Sequence, residues 1–405
     1  MGGGKLKRQV RAFSVVDPSP ADPHGLSLLG GPLHRLGHRL GLVRGHSNTV
    51  ALGLALGVAL WLVLLLLALI DGLGAKVFDL SGVGAHVRLL VAVPLFFFCE
   101  TLLDPRVNKF VETLIRSGVV PVQSLPAFRL EIARTTRLKD SWLPDTACLL
   151  LALVISISGP PANLPWLGFS GASSPEQAAV AATLTGQWYW IVCLTVVRFL
   201  LLRWLWRLGL WSHFLWRLSR LDLYLVPTHP DGQAGLGYLQ SVHAHFTPLV
   251  AAISAIEAAA FAQEIVRGSM NFEALGAAVL LLVVMLTVLF LAPLLILAPR
   301  LWAARLAGLE TYMELGSRYV NAFDGKWAHK REFQDEPLLG TPDLQSLADL
   351  QNSLRIIDCL QWIPIGWRLC LQTVSAALIP MLPLLVIKYP LVDLMQKVVA
   401  RLLGI

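Results

Sequence analysis

Val50-Ala-Leu-Gly-Leu-Ala-Leu-Gly-Val-Ala-Leu-Trp-Leu-Val-Leu-Leu-Leu-Leu-Ala-Leu-Ile70 carries no charged, amide or hydroxyl side chain over its whole length, and Asp71 ends it. A helix rises about 1.5 Å per residue, so this stretch is long enough to cross a hydrocarbon core of about 30 Å. In lipid every backbone polar group needs an internal partner, and an unbroken helix supplies them all. The rest of the chain agrees. Of 405 residues, 55% are apolar and 15% charged, and the mean hydropathy is +0.63. Soluble domains carry roughly 25% charge. Soluble enzymes, disulfide scaffolds, coiled coils and disordered chains are disfavoured together. The predicted fold is an all-α, polytopic transmembrane helix bundle.

Six further runs extend the count. They are 89–103 with Glu100 near one end and Arg88 just outside the other, 142–158 with Asp145 in its first turn, and 188–207 with Arg198 inside. Next come 246–265 with Glu257 inside, 275–297, and 362–387 with Arg368, Pro380 and Pro383. The last either crosses or turns back as a re-entrant hairpin, so six to seven spans are expected. The organisation reads as a basic segment 1–49 with an interfacial helix, a bundle over 50–387, and an amphipathic tail over 388–405. In the N-terminal segment Arg35, Arg39 and Arg44 interleave with Leu33, Leu36, Leu40 and Val43. That pattern suits a helix lying on a membrane surface.

Charge orients the set. The segments 1–49, 104–141, 203–240 and 298–361 hold seven, seven, four and seven Lys/Arg, while the alternate connections together hold Lys76, Arg88 and Arg267. An excess of 25 against three places the basic side, and with it the N-terminus, in the cytoplasm. The connection 159–186 is then extracytoplasmic. The net charge of +7 reads as this topology signal, so no nucleic acid is expected as a partner. Membrane lipids and a further copy of the chain are the expected partners. Among the cytoplasmic segments, 300–324 reads as helical and 326–336 as a loop. Thr341-Pro342-Asp343 starts a further helix with a stripe of Leu344, Leu347, Leu350, Leu354 and Ile357.

Three groups of residues can carry chemistry. The first is Pro227-Thr-His-Pro-Asp-Gly-Gln-Ala-Gly-Leu-Gly-Tyr238. Its prolines and glycines force a non-helical path, and Asp231 suits a turn in which its carboxylate accepts from backbone N–H groups. His229, Asp231, Gly232, Gly235 and Gly237 form either a turn that caps the next span or a ligand or regulatory loop. His243 and His245 lie downstream, but His229, Asp231, His243 and His245 match no standard zinc spacing. No metal and no cofactor is expected. The second group is Arg198 with Glu257, placed near mid-depth by residue counting and expected inside the bundle, either paired directly or sharing a water-filled cavity. They form either a register-fixing ion pair or part of a solute or proton path. The third is Arg203, Arg207, Arg217 and Arg220 among Trp204, Trp206, Trp211 and Trp216, expected as a headgroup-level belt.

The loop segment also carries a resemblance. Asp222-Leu-Tyr-Leu-Val-Pro-Thr-His-Pro-Asp-Gly-Gln-Ala-Gly-Leu-Gly-Tyr-Leu239 resembles an uncharacterised family of bacterial polytopic inner-membrane proteins. Leu103-Asp104-Pro105-Arg106, Asp343 to Leu350 and Leu378 to Leu385 are similar to the same family. The resemblance implies a bundle fold in a bacterial cytoplasmic membrane and no particular activity. Ala234 departs from it, since a glycine is expected there. HExxH and GxSxG are absent, so no enzyme is expected. The function classes that remain are a small-solute or ion transporter or channel, and a membrane-embedded sensor or interaction scaffold.

Overall fold

The computed structural model describes residues 26–27, 49–74, 78, 82–157, 182–266, 268, 270–328 and 342–388. The expected interfacial helix near 33–44, the connection over 159–181, the loop over 329–336 and the tail over 389–405 lie outside the described residues. Within them the chain is helical and holds no strand. The elements are α1 (Val50–Ile70), α2 (Val83–Arg116), α3 (Leu125–Asp140), α4 (Trp142–Ile157), α5 (Leu194–Ser219), α6 (Tyr238–Ala244), α7 (Thr247–Val266), α8 (Phe272–Leu295), α9 (Ala298–Phe323), α10 (Pro342–Asp358), α11 (Trp367–Leu378) and α12 (Pro383–Lys388).

Among the described residues five helical stretches are long and apolar enough to cross a membrane: Val50–Ile70, Val83–Arg116, Tyr238–Val266, Glu273–Leu295 and Trp367–Leu385. A sixth arises if α3 and α4, bent by 41°, count as one span. The break between them has a local cause. Ser141 is extended at φ −64°, ψ 136°, and Pro144 follows in the first turn of α4. The expected second span is longer than 89–103, and the third, 142–158, qualifies only together with α3. The fourth, 188–207, falls outside this set. It lies in α5 and the turn before it, whose arginines are buried against partners from other helices. The last expected span is a candidate crossing, with Pro380 in a 3-10 turn, Ile379–Met381, between α11 and α12.

Among the described residues π-helical turns occur at three places, one of them Asp324–Ala328 after α9. In α2 the turn spans Val87–Ala92, and before α5 it spans Trp188–Cys193. Glycines end three of the described helices by the αL route, one of them Gly268 after α7 at φ 72°. Gly72 follows α1 at φ 69°, and Gly118 follows α2 at φ 72°.

The core sits around α7, the most enclosed of the candidate spans. Its buried alanines, including Ala252, Ala255, Ala259 and Ala262, let α2 and α11 approach closely. The Ser254 hydroxyl donates to the Ala377 carbonyl of α11. An aromatic layer joins α2, α5, the α6–α7 stretch and α8 through Phe110–Trp211, Trp204–Phe246 and Phe246–Phe290, with ring centroids 5.8, 6.4 and 5.8 Å apart. Outside the core, α9 and α10 form a hairpin. Gly316 meets Leu354 across it, and Asp343 ties its open end by accepting from Lys326 Nζ at 2.8 Å and Trp327 Nε1 at 3.1 Å. Lys326 therefore belongs to a π-helical extension of α9, Asp324–Ala328, and not to a loop.

Candidate polar site inside the bundle

The π-helical turn of α2 and the one before α5 meet. Each inserts one extra residue per turn and re-aims the side chains that follow. One presents Arg88 and the other Tyr189, and Arg88 Nη1 donates to the Tyr189 hydroxyl at 2.5 Å. Gly84, one turn before Arg88, gives them room. A Cβ there would stand 2.7 Å from Gln263 Nε2 and 2.9 Å from Arg88 Nη1. Gln263 of α7 and Arg88 of α2 thus converge over a bare backbone.

Arg198 lies on the other side of this cluster. Its Nη1 donates to Ser156 Oγ of α4 at 2.6 Å. Ser156 also accepts from Thr195 Oγ1 at 2.7 Å and donates to the Ala152 carbonyl at 2.8 Å. Arg198 and Arg88 act on each other electrostatically. Glu257, on α7, is 3% exposed. Among the described residues its carboxyl has no hydrogen bond and no ion pair. The charged groups that act on it are Arg88 and Glu264. The direct Arg198–Glu257 pair, one of the two expected arrangements, is thus corrected. Residue counting placed the two at similar depth but could not place them around the helices. α5 turns Arg198 toward α4, while α7 packs on α2 and α11.

A second ionic layer was not expected. Glu100 Oε1 accepts from Arg203 Nη1 at 3.0 Å and from Arg207 Nη1. Arg203 Nε stands 3.6 Å from Asp145 Oδ1. Glu100, Arg203 and Arg207 are each at most 4% exposed. Two arginines expected in the headgroup belt are therefore core residues, and Trp204 and Trp211 are buried with them. Arg217 pairs with Glu131 of α3 through two hydrogen bonds of 2.9 and 2.6 Å. Only Trp206 and Trp216 of the belt tryptophans are exposed. The available signal was the i,i+4 spacing of Arg203 and Arg207, which puts both on one helix face.

The loop before α6 is an ordered turn. Asp231 Oδ1 accepts from Gln233 N at 2.9 Å and Gly235 N at 3.1 Å, and Oδ2 accepts from Gly237 N at 2.7 Å. His229 Nδ1 lies 2.8 Å from Asp231 Oδ1. Partial burial pushes the Asp231 carboxyl up, but the three N–H donors and His229 outweigh it and hold the group below its ordinary value of 3.8. Gly232, Ala234 and Gly235 all have left-handed φ, of 66°, 53° and 97°. Ala234 is the one non-glycine residue with positive φ among the described residues, and it stands where a glycine was expected. A side chain in that region costs about 1–2 kcal/mol. A Cβ on Gly235 would come 2.6 Å from Val119 Cγ2, and one on Gly237 would come 2.9 Å from the Asp231 carboxylate.

The turn is also a junction. Tyr224 N donates to the Val119 carbonyl at 2.8 Å, and Gln361 N donates to the Gly232 carbonyl at 2.9 Å. Gln233 Nε2 donates to Gln361 Oε1 at 3.0 Å. His243 is elsewhere. It is buried, its Nε2 accepts from Trp211 Nε1 at 3.0 Å, and its Nδ1 lies 3.0 Å from the Phe290 carbonyl. That arrangement fixes a neutral tautomer with the proton on Nδ1. His245 Nδ1 meets the Ser241 carbonyl at 2.6 Å. Of the four groups weighed as metal ligands, the structure brings together His229 and Asp231. Among the described residues no group of three or more His, Cys, Asp or Glu is placed to hold a metal ion. No family model, no curated protein and no solved structure matches this chain.

Proposed function

We propose that this chain is a multi-pass protein of a bacterial cytoplasmic membrane that moves a small solute or ion across the bilayer. One observation carries the reading. Polar groups from four helices, Arg88, Tyr189, Arg198, Ser156 and Glu257, lie within the bundle in addition to the ion-paired layer of Glu100, Arg203 and Arg207. A charge within a membrane span costs about 2.5–3.5 kcal/mol on insertion scales. Such groups persist when they line a path or a binding position. Purified protein in liposomes should take up at least one of radiolabelled rubidium, chloride, an amino-acid mixture or a sugar mixture faster than protein-free liposomes. Uptake equal to the protein-free control throughout removes the reading.

The N-terminus is proposed to be cytoplasmic. In intact cells Ser173→Cys should react with a membrane-impermeant thiol reagent and Ser14→Cys should not; the reverse pattern overturns the orientation. A second reading, an interaction scaffold, draws on the α9–α10 hairpin. It carries exposed Trp302, Leu306, Met313, Leu315, Val320 and Leu344.

A further inference from the structure

We infer that Glu257 is an intramembrane proton-binding site that couples movement through the bundle to proton uptake and release. The inference deepens the transport reading and rests on it. Glu257 lies within the candidate span Tyr238–Val266, and the span is the most enclosed in the molecule. An isolated carboxylate in a low-dielectric interior is costly, and the cost is relieved by a proton, a cation or a hydrogen-bonding partner. Here the described residues offer its carboxyl no hydrogen bond and no ion pair.

The surroundings favour a proton over a metal cation. A hard cation needs several oxygen ligands. The flanking residues on α7 are Ala255, Ile256, Ala258 and Ala259, and Ser254, one turn back, has its hydroxyl committed to Ala377. A proton needs no such cage. It forms one O–H bond on a carboxyl oxygen and removes one negative charge; release breaks that bond and restores the charge.

Charged and titratable groups on the packed elements define what can drive the exchange. These are His86, Arg88, Glu100, Asp104, Arg106, Lys109, Glu112 and Arg116 on α2, Arg368 on α11, Glu273 on α8 and Lys388 on α12. Glu100 is held by Arg203 and Arg207. Arg88, and Glu264 on α7 itself, act on Glu257. Arg88 is the group that can exchange partners, because the π-helical turn already seats it on Tyr189. Approach of the guanidinium to Glu257 favours the carboxylate and drives the proton off. Return to Tyr189 favours the protonated acid. The two π-helical turns that meet are the hinge of this exchange, a placement often found at functional sites.

The test uses dicyclohexylcarbodiimide, which modifies protonated carboxyls in apolar surroundings, on the full-length protein in liposomes, with the modified residue located by peptide mass mapping. Label should fall on Glu257, with Glu264 as the internal comparison. Its rate should drop by about tenfold for each pH unit above the group's midpoint. Glu257→Gln should lose that label. Absence of label on Glu257 at every pH, or a rate indifferent to pH, overturns the inference. The wild-type map decides the point even if the variant fails to fold. The two readings fail separately. Flux without label on Glu257 keeps transport and removes the proton site. Label without any flux keeps the proton site and removes transport.

Discussion

Glu100 and Glu257 are both nearly sealed carboxyls inside one helix bundle, yet their surroundings are opposite. Glu100 receives two guanidiniums, and one of these is further balanced by Asp145. Glu257 receives neither ion pair nor hydrogen bond from the described residues. A satisfied buried network holds helices in one arrangement, and its desolvation cost is offset by Coulomb attraction and hydrogen bonds. An unsatisfied carboxyl does little for the resting fold. It is retained at a cost, and that cost is intelligible if the group acts. The contrast is between a satisfied ionic network and a buried carboxyl with no partner among the described residues.

The sharpest way to break the contrast is to remove Glu100. Glu100→Leu leaves Arg207 buried without its carboxylate, while Arg203 keeps Asp145. The expected loss is about 3–5 kcal/mol, read from thermal unfolding of the detergent-solubilised protein. The double change Glu100→Leu with Arg207→Leu should be less destabilised than the single change. Equal loss would show that the network is not what holds α2 against α5.

Asp231 tests a third kind of carboxylate, one satisfied by backbone donors. Asp231→Ala removes acceptors for three N–H groups and should cost about 2–3 kcal/mol. The pH dependence follows from the depressed folded value. The contribution of Asp231 is fully present above the ordinary carboxylate value and is lost as pH falls below it through the folded value. Acid should therefore narrow the stability gap between wild type and Asp231→Ala. A gap that widens in acid contradicts the hydrogen-bonded turn.

Glu257→Gln should have the smallest effect. With no partner among the described residues to lose, its unfolding temperature should match wild type to within about 0.5 kcal/mol equivalent. A loss on the scale of Glu100→Leu would make Glu257 a structural residue and erase the contrast.

Much of the bundle was legible from one-dimensional signals. The run from Val50 to Ile70, the run near Leu275 and the helix start at Pro342 depend on local hydropathy or capping chemistry, and each becomes a helix close to its expected bounds. The Asp231 turn was legible because Pro, Gly and Asp specify their own backbone. What escaped depends on contacts between distant segments. Arg203 and Arg207 sit among tryptophans, a composition that reads as an interface, yet their partner Glu100 is more than 100 residues away. The π-helical turns have no sequence mark, since the extra residue is set by packing. Arg88 therefore read as a flank of its span rather than a residue inside it. Depth along a helix can be counted, but azimuth cannot, and Arg198 with Glu257 failed as a pair for that reason.

The link between the Asp231 turn and Gln361 sets a timetable for assembly. Gln233 and Gln361 are 128 residues apart in sequence, so the contact that seats the approach to α11 closes a very long loop. Closure of that size is slow and has no local reward until both ends are formed. The turn is complete from its own residues well before Gln361 leaves the ribosome. The last helices of the chain therefore meet a turn whose own hydrogen bonds do not depend on them.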